Sequence, residues 1–443
     1  MSEKLELSKD FEPINDEVWK EKIIQELKGK SFEETLVSKD YDGIETYPFY
    51  TKNSLKDTIE IPFKSSNEWL IVEYCNDENH LKNALDNDVD IIKTNNYPLI
   101  EAVPITKTIY IENNIDLEQL PQTINNRKSF ILKNIFSDAL LNGNWEFGIE
   151  KQLAHLETIV RTFPNSKTLI FDGSLLTNCG ATPVQEISTI LLQAAYIYNH
   201  FKEIGFTIDE LVERSVFKVG VTTDFFKEIS KIRALRYLLF NLIKAYQPSE
   251  NFEENIFIHA ETAVFNLSVL DHHTNLLRTT TQAFSAVLGN CNSLEITPFN
   301  LNHNDLFSKR ISRNIHHLLK HESFINNIVD IGSGAYYIEN LTRTIVQKSW
   351  EKFLSLENKG GIIPYIENNN LQNEVNEVFH KKSNDLKENI TNMVGVNLHI
   401  NEKDNPIPEY KFDYKHNDKP AVFQKLTPTR LSKSIEKELK ATI

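Results

Sequence analysis

The sequence predicts an α/β protein built on a (β/α)8 TIM-type barrel, with an N-terminal arm and a C-terminal extended and helical tail. Apolar strand-like segments alternate with amphipathic helix-like segments through the middle of the 443-residue chain. Such alternation implies parallel strands joined by right-handed crossovers. Eight strand candidates favour a closed barrel of about 250 residues, for which 66–357 has room. A doubly wound open sheet is the alternative, because periodicity alone does not establish closure.

The strand candidates are short apolar runs bounded by turn-forming residues. In chain order they are 69–74, 89–94, 129–134, 168–173, 216–221, 255–261, 293–299 and, more weakly, 327–332. Between them, helices are predicted where apolar residues recur at intervals of three to four. The clearest of these cover 184–201, 225–245 and 276–288.

Two flanks complete the predicted organisation. The arm, 1–65, contains a short helix around 17–27 and an aromatic stretch at 41–50, which is too apolar to be free and is expected to contact another subunit. In the tail, 358–443, a helix near 373–387 precedes a proline-containing linker at 402–420 and a charged, exposed helix at 431–439. A tail of this length and composition does not suit a doubly wound nucleotide-type domain, so none is expected.

Bulk composition excludes several classes of function. The net charge of −14 and the pI near 5.5 argue against nucleic-acid binding, because a polyanion would be repelled. Three isolated cysteines favour a reducing compartment over a disulfide framework or a zinc site. The first residues lack the apolar core of a signal peptide, and no run approaches the ~20 apolar residues of a membrane span. We expect a soluble, cytoplasmic protein.

The candidate chemistry lies where predicted strands end, because barrel enzymes place their active sites there. Asp172 ends a strand, and Ser174, Thr177 and Asn178 follow it without a histidine, lysine or carboxylate before Glu186. His259 lies near the end of another strand. It could donate a proton or bind a polar substrate, or it could be a core histidine bonded to the backbone; both interpretations stay open.

Three further motifs are weak. His317 and His321 are one helical turn apart, but a third metal ligand is missing, so no metal is predicted. Gly-Ser-Gly at 332–334 suits a phosphate loop after an eighth strand, although a tight turn is favoured. Asp271 and His273 partly fit the D-x-H-x-x-G pattern of cobalt ligation, but a leucine replaces its glycine. No catalytic, cofactor-binding or metal residue is therefore assigned.

Longer motifs carry a resemblance to a known family. "NLLRTTTQAFSAVLGNCNSLEITPFN" (275–300) resembles the methylmalonyl-CoA mutase family, in which an N-[IL]-[LV]-R-T-T segment opens the helix before the seventh barrel strand. Four more segments resemble the family's motifs in the same order: 41–51, 180–198, 224–239 and 310–350. Together they cover most of 17–358. The resemblance implies an acyl-CoA mutase barrel, threaded by the CoA arm, in an enzyme whose adenosylcobalamin supplies a radical that interconverts succinyl-CoA and methylmalonyl-CoA.

Departures from the family's catalytic pattern are equally informative. Catalytic chains carry Tyr-His in "G-Y-H-x-x-E-A-G-A", where this chain reads "GSLLTNCGA" (173–181). Their "H-N-D-F-F" is "TTDFF" here, with Thr222 and Thr223 in place of His-Asn, and "QND-x-L-K-E" has no match near 140–150. The resemblance thus implies a barrel mouth stripped of chemistry. Its expected residues are Asp172, Ser174, Thr177, Asn178, Thr222, Thr223 and His259.

The expected function follows from these losses. No B12-binding domain carrying D-x-H-x-x-G is found before Ile443, so the chain resembles the small, non-catalytic subunit of a heterodimeric mutase. Substrate and adenosylcobalamin would then be bound by a large catalytic subunit, the expected partner, with no cofactor on this chain. Two alternatives remain: the catalytic barrel of a split acyl-CoA mutase whose B12 domain is a separate chain, and a stand-alone acyl-CoA-binding or chaperone-like protein.

Overall fold

A computed structural model describes residues 15–55, 59–112, 117–118, 120, 124–125, 127–401, 406–410, 412, 414 and 417–442. Its centre is one sheet of eight parallel strands, in the order β4-β3-β2-β1-β8-β7-β6-β5. A parallel bridge between Phe130 and Lys167 joins the two outer strands, so the sheet closes into the predicted TIM-type barrel. The strands are β1 Leu70–Tyr74, β2 Ile91–Lys93, β3 Thr108–Glu112, β4 Ser129–Leu132, β5 Leu169–Asp172, β6 Ser215–Val221, β7 Ile258–Thr262 and β8 Ser293–Glu295.

Seven of the predicted strands are present, and two corrections apply. The segment 327–332 is not a strand but a 3-10 turn, Ile325–Asn327, followed by further turns, and its Asp330 pairs with the buried Arg233. β3, which the sequence analysis missed, alternates Thr, Tyr and Glu with isoleucine, because only one of its faces meets the helices. The helix of the 275–300 motif consequently precedes the eighth strand rather than the seventh.

Helices surround the barrel and follow the predicted apolar faces. The 21-residue helix Pro183–Glu203 starts at a capping box between Thr182 and Gln185 and buries most of its side chains. The other α-helices are Asp16–Glu26, Phe32–Leu36, Glu78–Leu85, Tyr97–Ala102, Ile135–Asn142, Ile149–Thr162, Ser174–Asn178, Ile208–Glu213, Phe225–Lys244, Thr274–Leu288, Leu306–His317, Tyr336–Glu357, Ile362–Glu367, Asn370–Lys387 and Lys433–Thr442. Within the described residues, no helix has the length and apolar character needed to cross a membrane.

Alternating strand residues point into the barrel lumen, and they form two layers. The lower layer, here called the floor, is an apolar cluster that fills the lumen. Two residues further along most of these strands, polar and charged side chains take over. The floor consists of Val72, Ile91, Tyr110, Phe130, Leu132, Ile170 and Val216.

The tail crosses the carboxyl-terminal end of the barrel. We call the described residues of 406–432 the strap, and its backbone amides donate to barrel loops: Phe423 to Gly143, Leu426 to Leu140 and Thr429 to Asn178, at 2.9 to 3.0 Å. The predicted linker, 402–420, lies partly outside the described residues. The last helix is less exposed than its charge suggested, because Glu436 is buried in an ion pair with Arg430.

Candidate functional site

Five charged side chains occupy the lumen directly above the floor. We call them the charged layer: Lys93, Glu112, Lys218, Glu261 and Glu295. Lys93 lies 2.7 Å from Glu295 and 3.5 Å from Glu112. Lys218 is 3.2 Å from Glu112 and 3.0 Å from Glu261. Lys93 also lies 3.9 Å from Glu261, so it bridges three glutamates and Lys218 bridges two. These ion pairs hold together strands from both halves of the barrel.

The pKa shifts in this layer follow from burial and pairing. Burial favours a neutral Glu261, but Lys218 and Lys93 outweigh it and lower the pKa of Glu261 to about 2. The same two lysines lower the pKa of Glu112 against its burial. Burial and the charge of Glu261 raise the pKa of Glu295, despite Lys93. Glu295 is thus the carboxylate of the layer that is most easily protonated.

A cavity of about 420 Å³ lies above the charged layer, under the strap. Its upper side is aromatic: the rings of Tyr410 and Phe412 are 4.9 Å apart, and His303 lies 6.2 Å from Tyr410 and 5.9 Å from Tyr74. We call Tyr74, His303, Tyr410, Phe412 and Tyr414 the roof. The mouth of this barrel therefore holds a cavity with a charged base and an aromatic cover.

Three of the predicted mouth residues line this cavity. Asp172 is buried, and its carboxylate accepts hydrogen bonds from the Ser174 amide and hydroxyl, both at 2.7 Å, and from Asn134 and Ser137. Asn178 accepts from the Phe265 amide, and its carbonyl accepts from Thr429 of the strap. These polar groups mainly bond to one another and to the backbone, so they hold the loop and the strap in place.

The three predicted threonines lie elsewhere. Thr177, Thr222 and Thr223 line a second cavity of about 610 Å³, outside the lumen, between strand ends, the arm and the helix Asn370–Lys387. Thr222 donates to Glu228 at 2.6 Å, and Glu228 pairs with the buried Lys231. The sequence predicted that all these residues lie at one barrel mouth, whereas the structure divides them between two cavities.

His259 occupies the lumen below the carboxylates. Its Nδ1 is 2.9 Å from the Ser293 hydroxyl, and its Nε2 has no hydrogen-bond partner, lying 4.0 Å from Glu295. Burial, with the charges of Lys218 and Lys93, lowers the pKa of His259 to about 3, so the ring is neutral at physiological pH. His259, Glu261 and Glu295 are close enough to share a metal ion, but both carboxylates already pair with lysines.

The charged layer is the feature of the candidate site that was not predicted from the sequence. Its signal was present, because four of its residues lie within predicted strands: Lys93, Lys218, Glu261 and Glu295. A charge inside an apolar strand indicates a lumen-facing position. The fifth residue, Glu112, lies in the strand that was not predicted. Asp271, His273 and the two glycines of 332–334 do not line the lumen cavity.

Fold and site together define a class: a TIM-type barrel with a filled lumen and a charged, covered mouth. A family model described as methylmalonyl-CoA mutase matches residues 84–442. The "Methylmalonyl-CoA mutase small subunit" of Porphyromonas gingivalis is 28% identical over 418 residues, covering 84% of this chain and 68% of that protein. The "Methylmalonyl-CoA mutase large subunit" of Propionibacterium freudenreichii subsp. shermanii is 24% identical over 308 residues, covering 68% and 41%.

The chain belongs to the methylmalonyl-CoA mutase family. It spans less than half of the length of several relatives, including 44% of the "Methylmalonyl-CoA mutase" of Rhizobium meliloti, which is 25% identical over 321 residues and 70% of this chain. The solved "Structure of Mycobacterium tuberculosis Rv1207" aligns at 10% identity with a TM-score of 0.29, over 59% of this chain and 97% of that one, a likeness too low to carry an argument.

Proposed function

We propose that this chain is the small, non-catalytic subunit of an adenosylcobalamin-dependent methylmalonyl-CoA mutase, and that it assembles in the cytoplasm with a large subunit that carries out the isomerisation. The observation that carries the proposal is the filled lumen. A catalytic barrel of this family must admit the CoA arm, whereas here Tyr110, Phe130, Ile170 and Val216 pack together across the lumen and are buried. A threaded substrate would have to displace this core.

The loop after β5 supports the same conclusion. Where catalytic relatives place Tyr-His, residues 174–178 form a short buried helix. Gly220 of β6 packs against it, and a Cβ there would lie 2.8 Å from the Thr177 side chain. The segment is therefore a packing element. No described acid or base replaces the missing pair on this loop, and Asp172 is saturated by neighbouring hydrogen bonds.

The mouth does not fit adenosylcobalamin. The strap runs across the approach to the cavity above the charged layer, where a corrin ring would have to lie. His273, the weak candidate for cobalt ligation, packs with its ring centroid 5.9 Å from that of Phe299, outside that space. We therefore assign the cofactor to the partner and derive no step through it on this chain.

The arm and the adjoining helix ends offer the surface for that partner. Aromatic contacts run from Tyr47 to Tyr50, to Tyr337 and on to Phe226. Tyr47 and Phe226 stay 45% and 47% exposed, and Phe49 and Tyr336 are also exposed. Contiguous exposed aromatic groups mark protein interfaces, and an obligate pair would bury above ~2,000 Å². Residues 1–14 and 56–58 of the arm lie outside the described residues.

Co-expression of the tagged chain with a mutase large subunit from the same organism tests the proposal. We expect a 1:1 complex that has isomerase activity and a cobalamin absorbance spectrum, and no activity from the small chain alone with added adenosylcobalamin. Turnover by the chain alone, or with only a separate cobalamin-binding chain, would support the split-mutase alternative. Tight binding of CoA esters without any partner would instead support a stand-alone binding protein.

A paired substitution locates the surface. Phe226→Glu should abolish co-purification, because it places a charge in the aromatic patch. Phe147→Glu is the matched control, since Phe147 is 59% exposed but lies near Lys151 and Lys419, away from the arm. Equal co-purification of the two variants would exclude this surface while leaving the proposed subunit role intact.

A further inference from the structure

We infer that the lumen cavity is a binding site for a small organic cation, an ammonium compound held between the charged layer and the roof. The inference concerns this chain by itself and does not depend on the partner. The inferred site prefers a cation, whereas an acyl-CoA site would have to bind an anion.

The charge balance of the described lining residues is the first argument. Four carboxylates and only two lysines line the cavity, and all six are buried or nearly so. Burying an uncompensated negative charge is costly unless a cation or a proton neutralises it. Burial raises the pKa of Asp172, and the charges of Glu112 and Glu261 act in the same direction, against that of Lys218. The carboxylates are Glu112, Asp172, Glu261 and Glu295.

The unpaired histidine is the second argument. His259 is fully buried and neutral, and its Nε2 lacks a partner while lying near the carboxylates of Glu261 and Glu295. When Nδ1–H donates to the Ser293 hydroxyl, Nε2 is an acceptor beside two carboxylates, and a ligand with several N–H groups, such as an ammonium ion, satisfies all three. Buried polar atoms in native proteins are almost always satisfied, so such an orphan points to a missing group.

Size and the roof decide between an organic cation and a metal ion. The volume of about 420 Å³ falls in the range of small-molecule sites and exceeds what a bare ion needs. Tyr74, Tyr410, Phe412 and Tyr414 present aromatic rings, the groups that recognise ammonium compounds through cation–π contacts. The neutral His303, whose pKa burial lowers to about 4, adds no competing charge.

A matched series of four-carbon compounds tests the inference by isothermal titration of the full chain: 1,4-diaminobutane, 1,4-butanediol and succinate. We expect saturable binding of the diamine, and none of the diol or the dianion at the same concentrations. Equal binding of the diol, preference for succinate, or no saturable binding of the diamine would each overturn the inference. Added Zn²⁺ that binds more tightly than the diamine would overturn it in favour of a metal site.

Two variants test the contributions of the charged layer and of the roof separately. Glu261→Gln should weaken diamine binding about tenfold or more, because a charge-assisted hydrogen bond is lost. Glu254→Gln, an exposed change in the turn before the same strand, is the control and should leave binding unchanged. Phe412→Leu keeps the strap apolar but removes a ring face, and it tests the roof without altering the buried charges. Unchanged affinity in both Glu261→Gln and Phe412→Leu contradicts the assignment.

Discussion

The two layers of the lumen differ in what holds them together. The floor is apolar and close-packed, so its stability comes from burial and dispersion. The charged layer lies two residues further along the strands. It depends on ion pairs in which two lysines partly neutralise the charges of three glutamates. One barrel thus contains a layer that excludes ligands and a layer with unbalanced charge beside a cavity. The difference shows how a barrel whose lumen is filled can still keep a cavity at its mouth.

The largest expected effect comes from removing one cation. Lys218→Met leaves Glu112 and Glu261 without their closest partner, and buried unpaired carboxylates should lower the free energy of unfolding by about 3 to 5 kcal/mol at pH 7. Urea denaturation measures the loss. Lys151→Met on the surface is the control. If Lys218→Met were as stable as the wild type, Lys218 would not be neutralising the buried glutamates as described.

Truncation of a floor side chain should lower the free energy of unfolding somewhat less, and this effect should not depend on salt. Ile170→Ala opens a void among buried side chains, and we expect a loss of about 2 to 4 kcal/mol. Denaturation at two salt concentrations should give the same difference, because no charge is changed. A loss that varies strongly with salt would mean that the two layers are not independent.

A third test uses pH to separate the layers. The pKa of His259 is lowered from 6.5 to about 3, so the unfolded state binds the additional proton between those values. The free energy of unfolding therefore rises with pH across that window, by up to about 1.4 kcal/mol per unit from this group. His259→Leu should flatten the profile by one proton, whereas Ile170→Ala should shift it without changing the slope. An unaltered slope in His259→Leu would count against a buried neutral histidine.

The smallest global effect is expected at the strap. Arg430 is buried and pairs with Glu436 at 2.6 Å and with Glu409 at 3.1 Å. Arg430→Met should loosen residues 406–432 and speed limited proteolysis there, while the barrel's unfolding midpoint changes little. Lys437→Met, an exposed change in the last helix, is the control. Wild-type resistance to the protease would show that Arg430 does not hold the strap.

Prediction from the sequence succeeded where the pattern was local. Long helices such as 184–201 and 225–245 were found because an apolar stripe repeats over many residues. The five-residue strand Thr108–Glu112 was missed, because its lumen side is polar and its period-2 signal is short. The run at 327–332 misled for the opposite reason: its apolar residues lie in a turn next to Arg233 rather than in the sheet.

By itself, the sequence determined the barrel class, the family and the absence of Tyr-His at residues 173–181. Only the tertiary structure decided that Lys93, Glu112, Lys218, Glu261 and Glu295 meet, and that the strap covers them. The physical reason is that these residues come from five strands spread over some two hundred positions, and closure of the sheet brings them within hydrogen-bonding distance. Tertiary structure also decided that Thr177, Thr222 and Thr223 lie apart from Asp172. Residues that are close in the sequence of a loop can face opposite sides of the same sheet.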